Sequence, residues 1–186
     1  MKKILFVLTV GFTFIVASFL SIYAQSSEKV VDPNIKKNFM SSIRNLANLG
    51  DPDFTDAYIL KRNEVNIRAA RDFLERFDKV DNALWYAGPN GGFEAYFVED
   101  GYGDRIIYDK LGSWQMSLIT FREEKLPRDI RFLVKSTYYD YDIILTEELR
   151  TGQGVEYFVY LENKSNILIV KVYGDEMEVL QNLNQL

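Results

Sequence analysis

The chain of 186 residues has no cysteine and no histidine, and only 4 prolines and 2 tryptophans. Without cysteine there is no disulfide to form and no lipid-modified cysteine to serve as an anchor, so stability rests on packing alone. Without histidine as well, the common nucleophile and base pairs and most zinc ligand sets are out of reach. Any enzyme built from this sequence would have to use carboxylates, serine, lysine or tyrosine. Positive charge is also short: 22 Lys and Arg face 27 Asp and Glu, a net charge of −5. Nucleic acid is bound through clustered Lys and Arg, so this acidic chain is a poor match for it.

What is present first is a leader. Met1-Lys2-Lys3 precedes an uncharged run from Ile4 to Ile22, then Tyr23-Ala24 and the polar Gln25-Ser26-Ser27-Glu28. A basic start, an apolar stretch and a small residue before a polar segment are the parts of a secretory signal peptide, expected over residues 1–24. The competing reading is a retained anchor, which has the length but lacks a basic stop-transfer cluster after it. Cleavage would remove Lys2 and Lys3 and take the net charge from −5 to −7. The expected location is periplasmic or secreted, with no stable membrane insertion after cleavage.

Residues 25–62 read as a helical extension. Asp32-Pro33 is a helix start, and Ile35, Phe39, Ile43, Leu46 and Leu49 follow at a spacing close to one helical turn, ending at Gly50. Beyond it, Gly92 and Gly154 are 62 residues apart, and so are Gly112 and Gly174. Segments at one offset suggest a duplication.

The fold class expected is α+β: a tandem repeat, over residues 63–122 and 123–186, of one helix plus a four-stranded antiparallel sheet. The first helix is expected to be capped by Asn63 and to bury Val65, Ala69, Ala70, Phe73, Leu74 and Phe77. Strands are expected over 83–87, 93–99, 105–110 and 114–121, joined by turns at Gly88-Pro89-Asn90-Gly91-Gly92 and Asp100-Gly101-Tyr102-Gly103. The second helix starts at Leu126-Pro127, with strands over 141–149, 155–161, 166–173 and 176–180.

Trp85, the strand Phe93-x-Ala95-x-Phe97, Ile106-x-Tyr108-Asp109, the turn Gly112-Ser113-Trp114 and the helix start Leu126-Pro127-Arg128-Asp129-Ile130 resemble the PepSY-like, beta-lactamase-inhibitor-like (BLIP-like) secreted proteins of Bacteroidetes. The resemblance covers about residues 63–182. It implies a fold more than an activity, with a concave sheet that docks a partner protein. The second repeat has no tryptophan to match Trp85 or Trp114, and the helical segment of 33–60 is additional.

No motif points to catalysis, and no cofactor or metal is expected. Asp100-Gly101-Tyr102-Gly103-Asp104 has the look of a fragment of a calcium loop, but it lacks the alternating acids and the closing glutamate. Glu123-Glu124 reads as favourable charge near a helix N-terminus. The glycine-rich turn at 88–92 joins two strands, whereas a phosphate cradle opens a helix.

Alternation in the strands points to a different kind of site. Phe93, Ala95, Phe97, Tyr157 and Val159 are assigned to the helix-covered side of the sheet. That leaves Tyr86, Tyr96, Ile107, Phe158, Tyr160 and Ile169 on the other side, where a half-covered sheet should be polar. Tyrosine is amphipathic and favoured at interfaces, so this face is the candidate binding surface. Two readings stay open: Phe39, Ile43 and Leu46 of the N-terminal helix cover it, or a partner or ligand does.

The function expected is an exported, non-enzymatic binding module, inhibitor-like, that contacts an envelope or secreted protein through this face. The alternative is a periplasmic protein of the envelope-stress type holding a small apolar ligand or peptide.

Overall fold

Alternating apolar residues, broken by glycine-containing turns, give eight strands that pair in chain order. The structure, a computed structural model, describes residues 59–61 and 63–184. The expected leader and the helix over 33–49 lie outside them. Helix α1 is Ile67–Arg76; strands β1 Leu84–Ala87, β2 Phe93–Glu99, β3 Tyr102–Tyr108 and β4 Trp114–Phe121 follow. Helix α2, Arg128–Thr137, leads into β5 Asp142–Thr151, β6 Gly154–Glu162, β7 Asn166–Tyr173 and β8 Glu176–Asn184.

The expectation of two four-stranded sheets is wrong. All eight strands form one antiparallel sheet in the order β1 to β8, because β4 pairs with β5 from Met116↔Thr151 to Phe121↔Thr146. Two separate sheets would each have left an edge of unpaired amides and carbonyls, and joining β4 to β5 satisfies both. The 62-residue offset marks equivalent turns and not separate sheets: Gly112 and Gly174 both have positive φ, between β3 and β4 and between β7 and β8.

Both helices lie on the same side of the sheet. On α1, Ala69 and Phe73, one turn apart, pack with Ala95, Phe97, Ile106 and Tyr108. On α2, Ile130 and Val134 repeat that spacing against Ile119, Phe121, Val159, Leu161 and Val170. Phe93 and Tyr157 pack against these two clusters, so the five residues assigned to the helix-covered side all lie there. Register alone carries that assignment.

Local signals set the helix ends. Asn66, three residues later than expected, caps α1, its Oδ1 accepting from Arg68 N at 2.9 Å. Ahead of α2, Glu123 in a short 3₁₀ turn pairs with Arg131 at 2.7 Å and so ties the turn to the helix it precedes.

Gly112 shows how closely turn and helix meet. Its φ is +77°, and a Cβ there would stand 2.7 Å from Asn66 Oδ1 and 2.8 Å from the backbone nitrogen of Ala69. Gly112→Ala is therefore expected to cost about 2–4 kcal/mol, from left-handed strain plus a clash with backbone. Urea denaturation measures it. A cost below that of an ordinary exposed substitution would mean that the turn and α1 are not locked together.

Candidate binding face

Strand register places all six candidate residues on the face away from both helices. Tyr86 pairs with Glu94 and Glu94 with Ile107, which makes one cross-strand row. Tyr96, Arg105, Leu118 and Leu149 make the next. Thr120, Glu147 and Phe158 follow, and then Leu145, Tyr160 and Ile169. The face runs unbroken from β1 to β7.

It is not an open tyrosine surface. Tyr86, Phe158, Tyr160 and Ile169 are between 2% and 4% exposed, whereas Tyr96 and Ile107 are half-buried. Four of the six therefore form a floor, and two are its more accessible part. At the β1 edge the chain meets the sheet where Ile59 bridges to Tyr86 and Leu60 N donates to Trp85 O at 2.7 Å.

Sequence reasoning missed the polar residues of this floor. Glu94, Thr120 and Glu147 are buried within it. Arg105 Nε lies 2.8 Å from Glu94 Oε1 as an ion pair. Tyr160 donates its hydroxyl to Glu147 Oε2 at 2.6 Å, whereas Glu147 Oε1 is buried without a hydrogen-bond partner. Burial raises the pKa of both carboxyls, and Arg105 opposes the rise in each. The Tyr160 phenol is pushed well up by burial, then by the charge and hydrogen bond of Glu147. The signal available was Glu147-Glu148 inside an apolar strand: neighbours in a strand point to opposite faces, so one acid lies on each side of this sheet.

Nothing here assembles a metal centre: among the described residues no three acidic side chains converge to hold an ion. The suspected calcium-loop acids are split, with Asp100 in the β2–β3 turn and Asp104 buried within β3. The part of this face with area to offer an apolar surface is Tyr96 and Ile107, with the Glu94–Arg105 ion pair on the adjoining positions.

The sheet with two helices on one side matches known structures over most of their length. A protein from Bacteroides fragilis described as BLIP-like superposes with a TM-score of 0.52 at 12% identity, over 64% of this chain and 86% of its own. The fold is BLIP-like. A DUF2874 family protein from Bacteroides ovatus gives a TM-score of 0.52 at 14% identity, over 64% of this chain and 87% of that one. A protein from Bacteroides eggerthii, described as periplasmic, gives 0.52 at 11%, over 64% and 88%. Identities this low carry the fold alone. The PepSY part of the resemblance finds no support among these neighbours. No protein-family model matches the chain, and no curated relative matches it. Among the described residues no helix is long and apolar enough to cross a membrane.

Proposed function

We propose that this is an exported, non-enzymatic binding module that holds an envelope or secreted protein on the second face of its BLIP-like sheet. The observation that carries the reading is the continuous row structure of that face: aromatic and aliphatic side chains in register on the side that neither described helix covers. Export is supported by the leader-like residues 1–24 and by the periplasmic description of the Bacteroides eggerthii neighbour. Tyr96 and Ile107 would supply the buried area, and the Glu94–Arg105 pair the selectivity.

Affinity capture from the cell envelope tests this. Ile107→Asp changes the half-buried rim and spares the floor, where a charge in place of Phe158 would unfold the sheet. A partner retained by the wild type and lost with folded Ile107→Asp is the expected outcome. Equal retention by both would remove the face from the account.

A second reading is a small apolar ligand or peptide held at Tyr96 and Ile107, the half-buried part of the same face. Native mass spectrometry separates the two, since a bound ligand adds mass to the isolated protein.

A further inference from the structure

The helix-covered face has a polar seam between its two apolar clusters. Asp104 on β3 and Glu148 on β5 both pair with Ile119 of β4, one from each side, so the two carboxylates flank a single core residue on the same face. Both are buried, Asp104 at 9% and Glu148 at 6% exposed. Arg150, one step along that face of β5, donates its guanidinium to Glu148. Beside it, Ser117 is buried and accepts from Trp114 Nε1 at 3.0 Å. The seam spans the junction where β4 meets β5, the one pairing that joins the α1 half of the sheet to the α2 half.

The Arg150 side chain is 54% exposed and that of Glu148 8%, so two buried carboxylates share one partly solvated guanidinium and carry one negative charge in excess of it. Buried net charge is costly, and one proton removes it. We propose that Asp104, Glu148 and Arg150 form a proton-sensitive clasp across the β4–β5 junction, tightened when the cluster takes up one proton.

The groups facing Asp104 fix which carboxyl takes the proton. Burial pushes Asp104 up to about 6; Arg150 opposes the rise, and Glu99 of β2 and Glu148 add to it. Tyr157 of β6, which pairs with Glu148, is raised by burial and by Glu148, with Arg150 opposing and Asp129 of α2 adding. On the flanks, Arg76 of α1 is engaged over the Trp114 ring and Lys125 over Tyr102. Arg150 is hydrogen-bonded to Glu148, and Asp104, raised by its burial, is the proton acceptor.

The direction of the effect follows from linkage. An aspartate ordinarily titrates at 3.8, and here at about 6, so between those values the folded chain binds more protons than the unfolded one. Stability at this site is full below the window, falls as pH rises through it and stays low above it. Two decades of pKa correspond to roughly 100-fold in the unfolding equilibrium.

Urea denaturation of the purified protein at pH 5, 6, 7 and 8, beside Asp104→Asn, is the test. The wild type should gain stability from pH 8 to pH 5. Asp104→Asn should be more stable than wild type at pH 8, by on the order of 100-fold in the unfolding equilibrium, and should lose much of that pH dependence. Glu94 and Glu147 are also raised and contribute the remainder. Amide exchange, corrected for its intrinsic pH dependence, should show β4 and β5 opening less often at pH 5 in the wild type, and a much smaller difference between the two pH values in Asp104→Asn. An Asp104→Asn protein less stable than wild type at pH 8 would overturn the proposal. So would an Asp104 carboxyl that titrates near 4 by carbon NMR in the wild type, a readout that does not depend on how the variant folds.

Discussion

Replacing Arg105 with alanine is expected to cost about 3–5 kcal/mol, the range for breaking a buried ion pair from one side. Arg105 and Glu94 have side chains only 15% and 12% exposed, and Arg105 also acts electrostatically on Glu147. Its removal strands two carboxylates in a floor that holds no other cation among the face residues named above. The deficit should depend on pH. Both carboxyls are already raised by burial, and losing the opposing cation raises them further, so the folded variant binds protons more readily than its unfolded chain. Its instability should be greatest at high pH and shrink as pH falls through the raised values. Glu94→Gln combined with Glu147→Gln should restore much of the loss at neutral pH. Denaturation of the wild type, Arg105→Ala and the triple variant at pH 5 and 8 checks this; an Arg105→Ala loss below 1 kcal/mol would mean the pair is solvated as a surface pair is.

Phe73→Ala is expected to cost about as much, 3–5 kcal/mol, by a different mechanism. Phe73 is 3% exposed and is the ring on which the α1 cluster converges, 5.1 Å from Phe77, 5.3 Å from Trp85 and 5.7 Å from Phe97. Three of those rings belong to strands or to the end of the helix, so truncation leaves a cavity that α1 cannot close without lifting off Tyr108, whose hydroxyl donates to Asp72 at 3.0 Å. Unlike the loss at Arg105, this one should be insensitive to pH. Tryptophan fluorescence during unfolding reports it, since Trp85 lies against the ring.

The contrast between those sites shows what the sequence could disclose. Period-two alternation identified the strands and both faces, because the pleat converts residue parity directly into sidedness. Proline at 127 and the glycines of the hairpins located α2 and the turns for equally local reasons. The joining of β4 to β5 was hidden, since strand pairing is made by backbone groups that every residue carries and no side chain of Met116–Phe121 announces a partner. Tyr160 misled in a different way. Its hydroxyl suggested exposure, but a buried tyrosine needs only one acceptor, and Glu147, 13 residues earlier, provides it. In the sequence Asp104 stands out only as the end of a calcium-loop-like fragment, because Gly101 and Gly103 draw attention to the hairpin and not to the strand that follows. Long-range polar pairs leave no periodic trace, so the charges of the floor and the seam came only with the register.

The claim at the centre of this account is that the second face of the sheet is where the protein binds. Photo-crosslinking in cells, with a benzophenone side chain placed in turn at Tyr96, Ile107 and Phe132, addresses it directly, because Phe132 is 76% exposed on α2 and belongs to the opposite side of the sheet. Crosslinks to one protein from positions 96 and 107, and none from 132, are the result expected. Crosslinks from 132 alone would place binding on the helical side and contradict the account.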